Sequence, residues 1–187
     1  MSRRATAFVV GYHGCRASVA KKALAGEALI RSEKSYDWLG PGVYFWENDP
    51  QRASEWAGER YAGQDDGPDS IGALIDLGNC LDLTLRENID YLKLAYQDLV
   101  ASGAPLPQNR DPRGHGQGDK LLRFLDCAVI QRIHSLIAIE GLEPFDTVRG
   151  LFVEGEPVYP NARFHEKTHT QIAVLTSACI KAVFVPR

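Results

Sequence analysis

The most conspicuous candidate for chemistry is the segment RFHEKTHTQIAVL, residues 163–175, in which His165, Glu166 and His169 spell H-E-x-x-H. On a helix, this spacing puts two zinc-ligating histidines on one face, with the glutamate as general base. A catalytic zinc also requires a third protein ligand and an open coordination position. The Pro- and Asn-containing stretch 157–161 favours a loop, a β-type run follows directly, and no His, Asp or Glu follows His169. We therefore expect a polar loop before a strand, with a zinc metalloprotease as a minor alternative.

Three further polar positions lie at the edges of apolar, β-type runs. His13 and Gly14 follow TAFVVGY, Tyr44 stands within WLGPGVYFW, and Gln171 lies at the start of TQIAVL. Taken singly, each is more typical of a structural residue: a hydrogen-bonded histidine, a core tyrosine and a solvated glutamine. Their order along the chain, together with the residues around them, gives the set more weight than any one member.

Four pieces of the sequence, in this order, resemble the catalytic domain of ADP-ribosyltransferases of the diphtheria-toxin and poly(ADP-ribose) polymerase branch. They are YHGC, GPGVYFWENDPQRASEWA, IDLGNCLDL and TQIAVLTSACIKAVFVP. The family's motifs are H-G, then G-x-G-(I/V)-Y-F, then an acidic residue that opens a strand. The resemblance covers most of residues 6–80 and 147–186, and it leaves the helical middle, 84–146, unexplained.

The resemblance implies an α+β fold with a split, strongly bent antiparallel β-sheet core and flanking helices. It implies a single catalytic domain over residues 1–187, with a helical insertion at about 84–146, and NAD bound as co-substrate in the cleft between the halves of the sheet. Such enzymes break the bond between nicotinamide and its ribose, so the site must stabilise an oxocarbenium ion.

The resemblance also assigns roles to residues. His13 would hydrogen-bond a ribose hydroxyl of NAD, and the backbone of Gly14 would meet the nicotinamide carboxamide, which a side chain would obstruct. Tyr44 would stack on the nicotinamide ring, a contact that suits a cationic pyridinium. Trp56 would close the other side of that ring.

Three more residues belong to the implied NAD site or lie near it. Arg16 and Ser54 join the NAD-binding set. Arg52 falls nearest to the position of the family's carboxamide-binding serine, and Ser54 lies two residues beyond it.

Gln171 stands where the family has its catalytic glutamate. A glutamine keeps a hydrogen bond but loses the negative charge and the base, and hydrogen bonds to charged groups contribute about 1.5–3 kcal/mol against roughly 0.5–1.5 for neutral ones. A deficit of ~1.4 kcal/mol is about tenfold in rate. We therefore expect slow mono-ADP-ribosylation by His13, Tyr44 and Gln171, without chain elongation. The alternative is a catalytically weak or inactive domain that binds NAD or ADP-ribose.

The acceptor and other partners are less closely defined by the sequence. The 187 residues carry a net charge of −3, which gives no whole-chain electrostatic signature of nucleic-acid binding. A basic cluster around loop 103–118 could contact a protein or nucleic-acid acceptor, and a solvated loop explains it equally well. Its members are Arg110, Arg113, His115, Lys120 and Arg123. At family level, the analogy suggests a bacterial toxin or defence effector, with an antitoxin or inhibitor protein as a further partner.

The cellular setting follows from composition. Four widely spaced cysteines favour reduced thiols, and no apolar run reaches the ~20 residues of a membrane helix. The N-terminal residues lack the apolar core of a signal peptide. We expect a cytoplasmic protein that does not bind membranes.

The elements that must position these residues follow from periodicity and punctuation. We predict that the first strand ends before His13, and that Ser18 caps the helix that follows. Asn48 or Asp49 would cap a second helix, and a third helix would bury Ile89, Leu92, Tyr96 and Leu99. The predicted helices are 18–26, 47–63, 85–102 and 119–141. The predicted strands are 6–12, a run after the Gly-Pro-Gly bend within 38–46, a pair or one bulged strand within 72–84, 147–155, 170–175 and 180–186.

Overall fold

The fold is described by a computed structural model that covers residues 7–113 and 118–186. These residues form seven β-strands and four α-helices, together with a short 3₁₀ turn. The strands are β1 (Phe8–Arg16), β2 (Val43–Glu47), β3 (Pro68–Asp76), β4 (Cys80–Asp82), β5 (Thr147–Phe152), β6 (His169–Val174) and β7 (Ile180–Phe184). The helices are α1 (Ala17–Leu24), α2 (Pro50–Tyr61), α3 (Arg86–Ala101) and α4 (Phe124–Ile139).

The strands make one mixed sheet in the order β4-β5-β6-β2-β1-β3-β7. The predicted α+β class is therefore confirmed. The sheet is antiparallel except at one edge, where β4 runs parallel to β5, so it is a mixed sheet around the antiparallel core that was predicted. Helices α3 and α4 lie in the connection between these two parallel strands.

The sheet is joined unevenly on the two sides of β1. Toward β3, β1 is in register over nine residues, from Phe8 opposite Asp76 to Arg16 opposite Pro68. Toward β2, the register among the described residues covers two pairs, Gly11 with Glu47 and Tyr12 with Trp46. We call the line between β1 and β2 the seam. It divides the sheet into a half with β4, β5, β6 and β2 and a half with β1, β3 and β7.

Hydrophobic clusters cover both faces of the sheet. On one face, α3 and α4 pack through a cluster that includes Ile130, Ile133, Val148 and Ala173. On the other face, Phe45, Ile75, Ile172 and Val174 form a second cluster. A smaller cluster packs α1 against β1 and β3. No helix within the described residues is both long enough and apolar enough to cross a membrane.

Helix α2 begins as its sequence signals predict. The Asp49 side chain accepts a hydrogen bond from the Arg52 backbone N–H at 2.9 Å, and Pro50 occupies the first turn. A carboxylate cap and a proline at the first position are both favourable at a helix start.

Strand β1 is longer than predicted, because Gly14 and Cys15 continue the ladder to Ser70 and Asp69 of β3. Helix α1 therefore starts at Ala17, and the Ser18 side chain bonds Asp66 instead of capping the helix.

Two predictions for the helical middle also need correction. In α3 the buried face includes Ala95, while Tyr96 is 44% exposed, so the predicted face was wrong by one residue at this position. Helix α4 begins at Phe124, five residues later than predicted.

Candidate functional site

The order β6-β2-β1 brings three predicted site residues onto consecutive strands. Gln171 on β6 lies opposite Trp46 of β2, and Tyr44 of β2 lies opposite Ala173 of β6. His13 stands on β1, one residue beyond the last paired position of the seam. Since neighbouring strands are ~4.8 Å apart, the three backbones lie within a span of about 10 Å. No rule of local sequence dictates this adjacency.

The side chains of the three residues do not all share one face. Tyr44 packs against the cluster beneath α3 and α4, and the side chain of Gln171 projects from that same face by the alternation of paired strands. The ring of His13 instead contacts Phe45, with ring centroids 5.6 Å apart, and Phe45 belongs to the cluster on the opposite face. The structure therefore groups Tyr44 with Gln171 and sets His13 at the seam.

The His13 side chain links β1 to β2 just beyond the last backbone register pair of these strands. Its Nδ1 lies 2.8 Å from the carbonyl oxygen of Tyr44, just where the pairing of β1 with β2 stops. A carbonyl only accepts, so Nδ1 carries the proton and, in the neutral ring, Nε2 is an acceptor. Burial lowers the pKa of His13 below its ordinary value of 6.5, and the hydrogen bond to Tyr44 raises it by less. A neutral imidazole at the seam can thus accept a hydrogen bond from a hydroxyl.

Gly14 is required by close packing of α2. A Cβ at this position would lie 2.3 Å from the carbonyl oxygen of Ala53 and 3.2 Å from Cε3 of Trp56. Helix α2 therefore rests directly on the Gly14 backbone, and the Trp56 ring lies against it. An aromatic ligand ring could reach this backbone only if Trp56 moved aside.

Tyr44 supports the Gly-Pro-Gly turn that precedes it. Its hydroxyl donates to the carbonyl of Gly40 at 2.7 Å and accepts from the backbone N–H of Leu39 at 3.0 Å. Burial is the main cause that raises the pKa of Tyr44 well above its ordinary value. Both hydrogen-bond partners of the hydroxyl are thus backbone groups of the same turn. In this conformation the Tyr44 side chain stabilises that turn.

Gln171 is held by a residue that the sequence did not single out. The indole Nε1–H of Trp38 donates to Gln171 Oε1 at 2.6 Å. Trp38 meets Phe152 edge-on, with ring centroids 5.1 Å apart. Its ring also covers Gly150, the residue opposite Gln171 on β5, where a Cβ would lie 2.7 Å from Trp38 Cη2. These two partners lie 133 positions apart in sequence, so no local signal could have found them.

The other predicted NAD-binding residues lie on the β3 side of the seam. Arg16 is exposed and its guanidinium lies 5.2 Å from the ring centre of Tyr61. The Ser54 hydroxyl is exposed and 3.1 Å from that of Ser70. Neither contact involves Gln171 or Trp38.

Arg52 is the centre of a buried polar cluster that the sequence also missed. Its Nη2 donates to Glu154 at 2.9 Å, and the two residues are 6% and 8% exposed. His169 donates from Nδ1 to the Lys167 carbonyl at 2.6 Å and lies 3.8 Å from Glu154. Burial is the main cause of a lowered pKa for His169. We call Trp46, Arg52, Glu154 and His169 the Arg52 cluster.

The Arg52 cluster links the two halves of the sheet. Arg52 lies on α2, which packs on β1 and β3, whereas Glu154 follows β5. Among the described side chains, four of the six buried polar atoms without a hydrogen-bond partner belong to this cluster. They are Trp46 Nε1, Arg52 Nε, Arg52 Nη1 and His169 Nε2. Buried polar atoms usually have a partner, so this concentration marks the region as unusual.

The H-E-x-x-H segment does not form a helix. His165 lies in an isolated bridge to Pro157 and its Nδ1 is 2.8 Å from the Gly155 carbonyl, while His169 belongs to β6. Backbone hydrogen bonds pair 154–158 with 164–167 as a hairpin. The geometry that a zinc protease needs from this motif is absent. Within residues 7–113 and 118–186, no group of three or more His, Cys, Asp or Glu side chains could hold a metal ion.

Two members of the predicted basic cluster, Arg110 and Arg123, are engaged within the protein, whereas Arg113 and Lys120 are exposed. The guanidinium of Arg110 lies 5.1 Å from the ring centre of Phe124. Arg123 pairs with Asp126 at 3.3 Å and lies over Phe152. His115 falls outside the described residues. These contacts favour a structural explanation for the two arginines.

An open groove of about 610 Å³ lies where β2 starts and β6 ends. Its lining includes Leu29, Arg31, Val43, Val174 and Ser177. Val43 and Val174 belong to the same cluster as Phe45, so the groove opens on the face that the His13 ring contacts. Its volume falls within the range of small-molecule sites.

Comparison of the chain with models of protein families, with curated proteins and with solved structures gives no match in any of the three.

Proposed function

We propose that this protein is an NAD-dependent mono-ADP-ribosyltransferase with the fold of that enzyme class. One observation carries the proposal: the strands that bear H-G, G-x-G-V-Y-F and the glutamine at the position of the catalytic glutamate are consecutive in the sheet, as β1, β2 and β6. β1 and β2 meet at the seam, where two register pairs remain among the described residues, and β6 lies beside β2. An incomplete ladder at the centre of a sheet leaves polar groups available for a ligand.

In the proposed reaction, the C–N bond between nicotinamide and ribose breaks and the bonding electrons leave with the nicotinamide nitrogen. The ribose becomes an oxocarbenium ion, a nucleophilic atom of the acceptor bonds to it, and the acceptor's proton passes to solvent. His13 Nε2 accepts a hydrogen bond from a ribose hydroxyl, which its neutral tautomer supports. Because Gln171 projects from the face opposite the His13 ring, the seam must open for both side chains to reach one sugar. Gln171 then provides a hydrogen bond but no charge and no base, so turnover is slow and the acceptor must be reactive already.

A domain that binds NAD or ADP-ribose without turnover is the second candidate, and a specific observation favours it. The Ala53 carbonyl and Trp56 cover Gly14, where the family would hold the nicotinamide carboxamide. Trp46 and Arg52 fill the same side of the sheet beneath α2. A ligand could still bind here, but the nicotinamide ring would require rearrangement of α2.

Release of nicotinamide from NAD tests the first candidate. Purified protein is incubated with NAD and a denatured-lysate acceptor, and free nicotinamide is measured for the wild type and for His13→Ala. We expect a slow release that His13→Ala lowers by about tenfold, the loss of roughly one hydrogen bond to the reacting sugar. His165→Ala is the matched control, because it also deletes an imidazole whose Nδ1 bonds a carbonyl at 2.8 Å.

Three outcomes separate the candidates. Release by the wild type and by His165→Ala that falls about tenfold in His13→Ala supports the transferase. Equal background release in all three proteins, with calorimetric binding of NAD or ADP-ribose, favours the second candidate. Neither release nor binding overturns both.

A further inference from the structure

We propose that Trp38 is a positioning residue that fixes the side-chain amide of Gln171 so that its NH₂ group, a hydrogen-bond donor, faces the substrate. The inference rests on the proposed function for its meaning in catalysis. It concerns which atom of Gln171 a substrate meets, and it makes that atom a donor where a carboxylate would offer an acceptor.

The orientation follows from the chemistry of the two groups. The atoms are Trp38 Nε1 and Gln171 Oε1, 2.6 Å apart. An indole N–H can only donate, whereas a side-chain amide has an acceptor end and a donor end. The end that Trp38 binds must therefore be the oxygen, and the nitrogen with its two hydrogens is left for other partners.

Trp38 is itself held rigidly enough to impose this choice. Its ring lies on the Gly150 backbone and meets Phe152 edge-on. The next residues in the chain, Leu39 and Gly40, are both hydrogen-bonded to the Tyr44 hydroxyl. A residue fixed by packing on one side and by a pinned turn on the other holds its partner in one geometry.

This arrangement gives Tyr44 an indirect role. Its hydroxyl pins the turn that carries Trp38, and Trp38 in turn orients Gln171. Tyr44 can thus affect the reaction without touching the substrate, through a chain of two hydrogen-bonded contacts.

The consequence for the substrate is a preference for an acceptor oxygen beside Gln171, such as a ribose hydroxyl oxygen. The donor end of an amide carries partial positive charge, which does not stabilise an oxocarbenium ion. A glutamate at the same position would keep the Trp38 bond through one oxygen and present the other to the sugar. Trp38 can therefore donate to a glutamine or a glutamate at position 171. With glutamine, the group left facing the substrate is a hydrogen-bond donor.

NMR tests the orientation without any activity. The chain has three tryptophans, Trp38, Trp46 and Trp56, and the indole N–H signal of Trp38 is the one missing from Trp38→Phe. In Gln171→Glu we expect this signal to shift more than those of Trp46 and Trp56 as the new carboxyl titrates, and in Gln171→Leu we expect its hydrogen to exchange faster with solvent. A Trp38 signal indifferent to both substitutions overturns the proposal.

Kinetics tests the consequence. We expect Trp38→Phe to lower kcat for nicotinamide release by about tenfold with KM nearly unchanged, since the bond orients the amide that positions a hydroxyl oxygen of the reacting sugar. In the Gln171→Glu background, Trp38→Phe should move the acidic limb of the pH profile to higher pH, because the lost bond had favoured the charged carboxylate. An unchanged kcat and an unchanged pH profile contradict the positioning role.

The two proposals can fail separately. If no variant releases nicotinamide while the Trp38 signal titrates in Gln171→Glu, the transferase proposal falls and the orientation stands. If nicotinamide is released and the signal does not respond, the orientation falls alone.

Discussion

The two edges of β1 are built differently. On the β3 side, nine register pairs form a continuous antiparallel ladder. On the β2 side, two register pairs remain among the described residues, with one further backbone hydrogen bond from the Asn48 N–H to the Val10 carbonyl at 2.9 Å. Side chains add to this weak edge: His13 reaches the Tyr44 carbonyl, and Arg52 on α2 reaches Glu154. Hydrogen bonds of a ladder support one another, whereas isolated side-chain bridges can break singly. Local opening of the sheet should therefore cost less between β1 and β2 than between β1 and β3.

This contrast ties stability to the proposed chemistry. Under the proposed function, His13 lies on the weakly paired edge of β1, where fewer backbone groups are held by ladder bonds. The strongly paired edge provides a rigid support for α1 and α2. Three substitution experiments can break or sharpen the contrast, and they follow from the largest expected effect to the smallest.

The Arg52–Glu154 pair should contribute most to holding the seam. Arg52→Met leaves a buried carboxylate without its main partner, and we expect a loss of about 3–5 kcal/mol in the free energy of unfolding. Urea denaturation near neutral pH measures it. The control is Lys93→Met, which breaks an exposed pair with Asp90 and should cost less than about 0.5 kcal/mol.

A double substitution distinguishes charge from packing at this pair. Adding Glu154→Leu to Arg52→Met removes the unpaired charge, and hydrophobic replacement of a buried ion pair is often neutral or stabilising. We expect most of the loss to be recovered. A double variant as unstable as Arg52→Met would mean that packing of α2, rather than the ion pair, secures the seam.

Gly14 pairs with Ser70 of β3, and α2 packs directly on it. A side chain at this position should therefore disturb both the β1–β3 ladder and the packing of α2. We expect Gly14→Ala to cost about 1–3 kcal/mol, because its Cβ would lie 2.3 Å from the Ala53 carbonyl oxygen. Gly58→Ala is the matched control within α2, where a Cβ meets no described atom within 4 Å. It should stabilise by up to about 1 kcal/mol through helix propensity. Thermal unfolding of both variants decides the point, and an unaffected Gly14→Ala would refute the close packing.

The pH dependence of stability gives the smallest effect. The folded-state pKa values of His13 and His169 lie below the ordinary 6.5, chiefly because of burial. Below about pH 6.5 the unfolded chain binds more protons than the folded chain. The contribution of these histidines to the free energy of unfolding is therefore fully present above this pH, and it decreases as the pH falls toward their folded-state pKa values. Each histidine contributes a slope of at most ~1.4 kcal/mol per pH unit in that window.

His13→Gln should reduce this slope. Urea unfolding of the wild type and the variant at several pH values from neutral to mildly acidic provides the comparison. His165→Gln serves as the control for removal of a histidine elsewhere, outside the seam. An identical slope in His13→Gln and the wild type would show that the His13 ring titrates normally at the seam.

Local sequence signals accounted for much of the fold. The Asp49 cap and Pro50 predicted α2, and the apolar runs predicted β2, β6 and β7. These features depend on neighbours within a few residues, which is why sequence reasoning finds them. The predicted first strand ended before His13, whereas β1 continues to Arg16. This extension depends on pairing with β3, some 55 residues away, and local sequence patterns do not report pairing at that distance.

The candidate site was predictable in its backbone but not in its contacts. Tyr44 and Gln171 lie on strands that were predicted, whereas the predicted first strand stopped just before His13. The partners of two key side chains lie far along the chain: Trp38 is 133 residues from Gln171, and Arg52 is 102 from Glu154. The H-E-x-x-H motif is a local pattern without the matching structure. Its spacing indicates a zinc site only on a helix, and this segment forms a hairpin.

The parallel pairing of β4 with β5 changes what the helical middle of the chain is. Two parallel neighbours cannot be joined by a tight turn, and their crossover needs a dozen residues or more. Residues 83–146, with α3 and α4, are that crossover. They are consequently not a module that could be excised to leave a minimal domain. A chain shortened across this stretch would have to reverse β4 or leave β5 as the edge of the sheet.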